Sequence, residues 1–230
     1  MSVILQIETA TTSCSVALAI DGHISTSKQI NERNIHAEVI TLFIDELVKT
    51  AGITYDDIDA VAVSSGPGSY TGLRIGVSTA KGLCFALNKP LIAIETLEAM
   101  AYGVLNDQDI LVDKDTLLCP MIDARRMEVY CALFNHAGLK VRATAADIID
   151  EHSFDEFLNA QKILFFGDGA DKCEAILGSH PNAQFLPGFV NSATYLTQKA
   201  AEKFNKKEFE DVAYFEPYYL KDFIAGKKAL

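Results

Sequence analysis

Residues 64–76, Ser-Ser-Gly-Pro-Gly-Ser-Tyr-Thr-Gly-Leu-Arg-Ile-Gly, join an apolar strand pattern to a long helical one. Glycines at a helix start, here Gly66, Gly68 and Gly72, can aim backbone N–H groups at a phosphate. No Gly-Lys-Ser/Thr follows, so the loop is not a P-loop. Ser69 lacks the glycine two residues before it that a nucleophile elbow needs, so it is not a hydrolase turn. A second candidate is the turn Glu8-Thr9-Ala10-Thr11-Thr12. Its hydroxyls and amides could hold a phosphate, whereas Glu8 would repel one unless magnesium bridged them. A third is Asp123 with Arg125 at a strand end, where an acid can orient magnesium or an attacking water. The alternative there is an Asp–Arg turn that fixes a hairpin, and the following Ala124-Arg125-Arg126-Met127 contains no glycine-rich phosphate hairpin. His36 has Ile40 one helical turn on, and His23, His136, His152 and His180 supply no i, i+4 mate. A lone histidine is a poor metal site, so no metal is expected.

These groups need elements to position them. Apolar runs predict strands over 2–8, 13–20 and 23–30, with Asp21-Gly22 as the hairpin turn. A helix is expected over 35–51 with Asn34 as its cap and Gly52 as its stop. A strand at 58–64, the glycine loop, a helix at 71–88, a strand at 91–94 and a helix capped by Thr96 and running to about 105 complete the first half. The second half repeats the order. Strands fall at 117–122, 127–134 and 139–143, then come a helix at 153–160, a strand at 162–166, a helix at 170–178, a strand at 183–186 and a helix at 193–205. Two successive β-β-β-α-β-α-β-α units predict a duplicated α/β fold of the actin, Hsp70 and sugar-kinase (ASKHA) type, with two lobes at 1–105 and 106–230. The acidic stretch 106–115 is the expected junction, and the last segment is expected to pack back on the first lobe. Fold alone does not license that superfold's ATP chemistry.

The helix at 35–51 carries two apolar stripes, one of Ala37, Ile40, Ile44, Leu47 and Ala51, the other of Ile35, Val39, Leu42 and Phe43. A helix facing one core needs only one. On the next helix Gly72, Gly76 and Ala80 make a flat strip that would let another helix approach. Both patterns predict a partner packed as a four-helix layer, or else a helix layer wholly inside one domain. With 31 acidic and 20 basic residues, a net charge of −11 argues against tight nucleic-acid binding by the chain alone. Five scattered cysteines without a CxxC, no signal-peptide pattern after Met1 and no membrane-length apolar run predict a cytoplasmic protein with no membrane contact.

Five blocks in order resemble the TsaB (YeaZ) family along essentially the whole chain. They are 7–11 with 14–18, His36, 66–76, Ile122-Asp123-Ala124-Arg125 with Glu128-Val129-Tyr130, and Pro217-Tyr218-Tyr219-Leu220-Lys221. The chain carries Glu8 where many members have Asp. The resemblance implies a non-catalytic scaffold for threonylcarbamoyladenosine formation on tRNA. Such a subunit pairs with its larger paralogue TsaD, joins the ATPase TsaE, and meets tRNA only through the complex. Alone it would form a homodimer. The expected contact surface, for TsaD or for self, is His36, Ala37, Ile40, Ile44, Leu47, Tyr70, Gly72, Leu73, Gly76 and Ala80. No cofactor is required. Weak ATP or ADP with magnesium at Glu8, Thr9, Thr11, Gly66, Gly68, Ser69, Asp123 and Arg125 belongs to the rival reading, an autonomous ATPase. A metallopeptidase is disfavoured by the missing second histidine.

Overall fold

The computed structural model describes residues 2–221. Among these residues ten strands form two five-stranded mixed sheets. The first contains β1 (Val3–Glu8), β2 (Ser13–Ile20), β3 (His23–Asn31), β4 (Ala60–Ser64) and β5 (Leu91–Ile94) in the order β3-β2-β1-β4-β5. The second contains β6 (Leu117–Asp123), β7 (Glu128–Phe134), β8 (Lys140–Ile148), β9 (Ile163–Phe166) and β10 (Ala183–Leu186) in the order β10-β9-β6-β7-β8. In each sheet the first three strands are antiparallel and the last two join in parallel. The expected duplication is therefore present, and the Asp21-Gly22 turn has positive φ at both residues, as a type I′ hairpin requires.

β1 is buried along its whole length because both faces of the first sheet are covered, which is why it reads as a continuous apolar run. Val3, Leu5 and Ile7 face α1 (His36–Thr50) and α2 (Tyr70–Leu87). On the opposite face Ile4, Ala60, Ala62 and Ile92 pack on Leu196 and Ala200. Ala200 lies in α6 (Thr197–Lys206), near the end of the chain. The reverse crossing also occurs. α3 (Thr96–Asn106), which precedes the acidic 107–115 segment, packs Leu97, Met100 and Val104 on Leu118, Ile122 and Phe134 of the second sheet. The two sheets thus exchange a helix.

Several local expectations are corrected. Asn34 does not cap α1; Ile35 occupies the cap without a side-chain bond, and Asn34 is instead a left-handed turn residue at φ 62°. Thr96 is a helical residue whose hydroxyl is spent on Ser64 Oγ at 2.7 Å. The helices expected at 153–160 and 170–178 shrink to α4 (Asp155–Leu158) and α5 (Glu174–Leu177), the latter after a 3-10 turn. Short segments with few periodic apolar positions cannot sustain a longer helix. β8 runs to Ile148, past the expected end, because it follows β7 along its whole length.

Candidate functional site

The glycine loop, the Glu8–Thr12 turn and His36 converge on one packed knot. A β-carbon at Gly68 would collide with Ala10 O, one at Gly72 with Thr9 O, and one at Gly76 with Thr9 Oγ1. These glycines exist because the β1–β2 turn is pressed against the start of α2. Three of the loop's amides are spent within the chain: Gly66 N donates to Thr96 Oγ1 (3.1 Å), Ser69 N to Ala10 O (2.7 Å) and Gly72 N to Ser69 Oγ (3.3 Å). From the other side His36 Nε2 donates to Thr11 O at 3.0 Å, so α1 and α2 clamp the same turn. A strap at the end of the described chain closes over the loop. Tyr218 N donates to Ser65 O at 2.7 Å, and the Tyr219 ring lies 4.9 Å from that of Tyr70.

Behind the knot lies a buried polar layer between the first sheet and the chain that leads into α6. Glu8 is fully buried, and its Oε1 accepts from Ala10 N at 2.5 Å. Burial pushes its carboxyl up to about 7, against the opposing pull of the Ala10 amide. Nearby, Ala193 N donates to Ser15 Oγ (3.1 Å) and Thr197 Oγ1 to Gln6 Oε1 (2.9 Å), which ties the residues ahead of α6 to β1 and β2. Asp123 lines an interlobe cleft of about 320 Å³ together with Thr12, Asn31, Glu32, Arg33 and Asp168, and Arg125 follows it on the exposed turn. Asp123 is held by Lys172 Nζ and accepts from Arg125 N at 3.0 Å, so the pair is a hairpin turn in form. Thr12, at the end of the Glu8–Thr12 turn, shares this cleft with Asp123, whereas Glu8 itself is withdrawn from solvent. The space before the loop glycines is filled by Thr9 and Ala10, and Glu8 is sealed from solvent. The packed side of the loop glycines and the sealed Glu8 therefore offer no open cradle for a phosphate. Among the described residues no cluster of three or more His, Cys, Asp or Glu could hold a metal, and no helix is long and apolar enough to cross a membrane.

The expected contact surface also needs correction. His36, Ile40, Ile44 and Leu47 are buried in this chain's own core, as are Gly72, Leu73, Gly76 and Ala80. The stripe of α1 that looked available is the one facing β1 and β2, and the flat strip of α2 admits the Thr9 turn instead of a foreign helix. Tyr70 is half-buried, and of the ten residues only Ala37 is exposed. The face that α1 and α2 do present is different. On α2 it is Thr71, Arg74, Ser78, Gly82 and Phe85, with Phe85 84% exposed; on α1, Leu42 is 65% exposed. Apart from Arg74 that α2 stripe is uncharged, and a β-carbon at Gly82 would meet open space. The three- and four-residue spacing of 71, 74, 78, 82 and 85 was readable in the sequence as a second stripe of α2.

The family model described as "TsaD: tRNA N6-adenosine threonylcarbamoyltransferase" matches residues 30–228. The chain is 39% identical over 129 residues to the tRNA threonylcarbamoyladenosine biosynthesis protein TsaB of Escherichia coli, covering 56% of this chain and 53% of that protein. With its Haemophilus influenzae counterpart too, the match spans about half of the relative's length (51%). TsaB of Bacillus subtilis is 27% identical over 228 residues, covering 95% of this chain and 93% of the relative. Among solved structures, YeaZ from Pseudomonas aeruginosa superposes with a TM-score of 0.79 at 25% identity, over 96% of this chain and all of that one. A polyphosphate/ATP-glucomannokinase from Arthrobacter shares the fold alone, with a TM-score of 0.50 at 11% identity over 90% of this chain and all of the kinase. The glycine loop, the Glu8 turn and His36 are therefore parts of a packing device on a kinase-type frame, and the chain belongs to the family of that model as one of its TsaB/YeaZ members.

Proposed function

We propose that this chain is a non-catalytic subunit of the system that forms threonylcarbamoyladenosine on tRNA. It docks on the transferase TsaD through the outward face of α1 and α2, activates TsaD and helps recruit the ATPase TsaE. One observation carries this reading: the family blocks converge on a knot that locks two helices against the sheet and leaves outside an α2 stripe whose one charge is Arg74, beside an α1 face that sets Leu42 among Glu38, Glu46 and Lys49. A surface of this kind is suited to a helix-on-helix interface. Similarity to the transferase's own family model supports pairing with it, since a related fold offers a matching helix layer, and the same face serves a homodimer when TsaD is absent. In this reading the chain works in the cytoplasm, meets tRNA only within the complex and needs no cofactor; nucleotide with magnesium binds weakly at most.

The test is co-purification with TsaD followed by a tRNA modification assay with and without this chain. Ser78→Arg and Phe85→Glu change exposed positions, so they probe docking without touching the core. Retained TsaD binding and full modification in both variants would place the interface elsewhere.

A further inference from the structure

Five arginines occur in this chain against fifteen lysines. Two of them are engaged: Arg142 Nη1 pairs with Asp147 at 2.6 Å, and Arg74 Nη1 donates to Tyr70 Oη at 3.0 Å. Of the other three, Arg33 lines the interlobe cleft from the first lobe, and Arg125 and Arg126 follow Asp123, which lines the same cleft, on the β6–β7 turn of the second. All three are exposed, and none of their guanidinium groups pairs or hydrogen-bonds with a described residue. That is unusual in a chain with 31 acidic residues. Asp123, the nearest acid to Arg125 in sequence, is occupied by Lys172 and by the Arg125 backbone amide, and Asp168 accepts from Asp123 N at 3.1 Å. Glu32 lines the cleft beside Arg33 and stays unpaired with it.

The backbone adds a second observation. Arg125 and Arg126 both have positive φ, 74° and 49°, a conformation that costs a residue with a β-carbon roughly 1–2 kcal/mol and a glycine almost nothing. Two arginines stand where the turn itself favours glycine. Arginine also presents a planar fork of donors suited to phosphate oxygens, which lysine lacks.

We propose that Arg33, Arg125 and Arg126 form a phosphate-contact surface that grips the backbone of a structured RNA when the chain is assembled in its complex. The proposal rests on the tRNA-modification reading above. The net charge of −11 makes the surface too weak to hold RNA alone at physiological salt and effective only once a partner adds positive charge. An acidic protein segment is the competing occupant.

The experiment compares the wild-type chain, an Arg33→Ala/Arg125→Ala/Arg126→Ala variant and the corresponding triple lysine variant, each assembled with the transferase, for tRNA affinity across a salt series. The alanine variant should still co-purify with the transferase, bind tRNA about tenfold more weakly, and lower the log–log salt slope by about 2 to 3. The lysine variant should keep most of the slope. Unchanged affinity and slope in an intact complex overturn the proposal. Loss of transferase binding in the alanine variant also overturns it, in favour of a protein contact. If even the wild-type chain fails to bind a transferase, the functional reading fails separately. Low-salt tRNA binding by the chain alone then decides: a weaker alanine variant upholds the surface, and equal binding refutes it.

Discussion

Replacing Glu8 with glutamine should flatten the dependence of stability on pH. The Glu8 carboxyl is fully buried, with one oxygen bound by the Ala10 amide, and desolvation outweighs the Ala10, Ser64 and Asn191 groups that favour its charge. Burial raises it from an ordinary 4.5 to about 7 in the folded chain. Between those values the folded state holds more protons than the unfolded state, so stability falls as pH rises through this window and levels off above it. A shift from 4.5 to about 7 corresponds to about 3 kcal/mol between the two ends. In Glu8→Gln the side-chain amide carbonyl can still accept from Ala10 N, so the variant keeps the turn and loses the titration. Urea unfolding at steps from pH 4.5 to 8.5 measures both proteins, with m-values checked for constancy. The stability of the variant relative to wild type should climb by about 3 kcal/mol from the acid to the alkaline end. Parallel curves would show that Glu8 is ionised in the fold by a compensation not visible in its hydrogen bonds.

Gly72→Ala and Gly76→Ala should each cost about 3 kcal/mol or more, because the new methyl meets Thr9 O or Thr9 Oγ1; calorimetric melting is the readout. Gly82→Ala, facing open space, should instead gain up to about 1 kcal/mol on the same helix. His36→Ala should lose about 1 to 3 kcal/mol by breaking the buried bond to Thr11 O, with no change in metal content. Titration calorimetry with Mg-ATP on the purified chain should give no heat at millimolar nucleotide; a saturating isotherm would restore the ATPase reading.

Much of the frame could be read from the sequence because its strands are short apolar runs bounded by turn residues. Val3–Glu8 and Ala60–Ser64 are of this kind. The Asp21-Gly22 hairpin was legible from turn chemistry alone. The meaning of small residues was not. Gly72, Gly76 and Ala80 allow close approach by any neighbour, and spacing cannot say that the neighbour is the Thr9 turn of the same chain. The inner stripe of α1 failed for a related reason. Ile40, Ile44 and Leu47 report amphipathicity, but a pattern does not reveal that the core also takes in Phe43 and Val39 of the other stripe and leaves Leu42 outside. Asp123 and Glu8 looked like members of one site because both are acids at strand ends, and only the three-dimensional arrangement separates an exposed turn from a sealed carboxyl. Nothing in residue types announced the positive φ of Arg125 and Arg126.

The exchange of helices between the sheets bears on how the molecule comes apart. α3 belongs by contact to the second sheet and α6 to the first, so each core is completed by a segment from beyond the acidic connection. A protease that cuts near Leu111, which is 96% exposed, severs the covalent path without releasing two self-sufficient pieces. The nicked fragments should elute together and melt in one transition. Neither half, expressed alone, would carry a closed core.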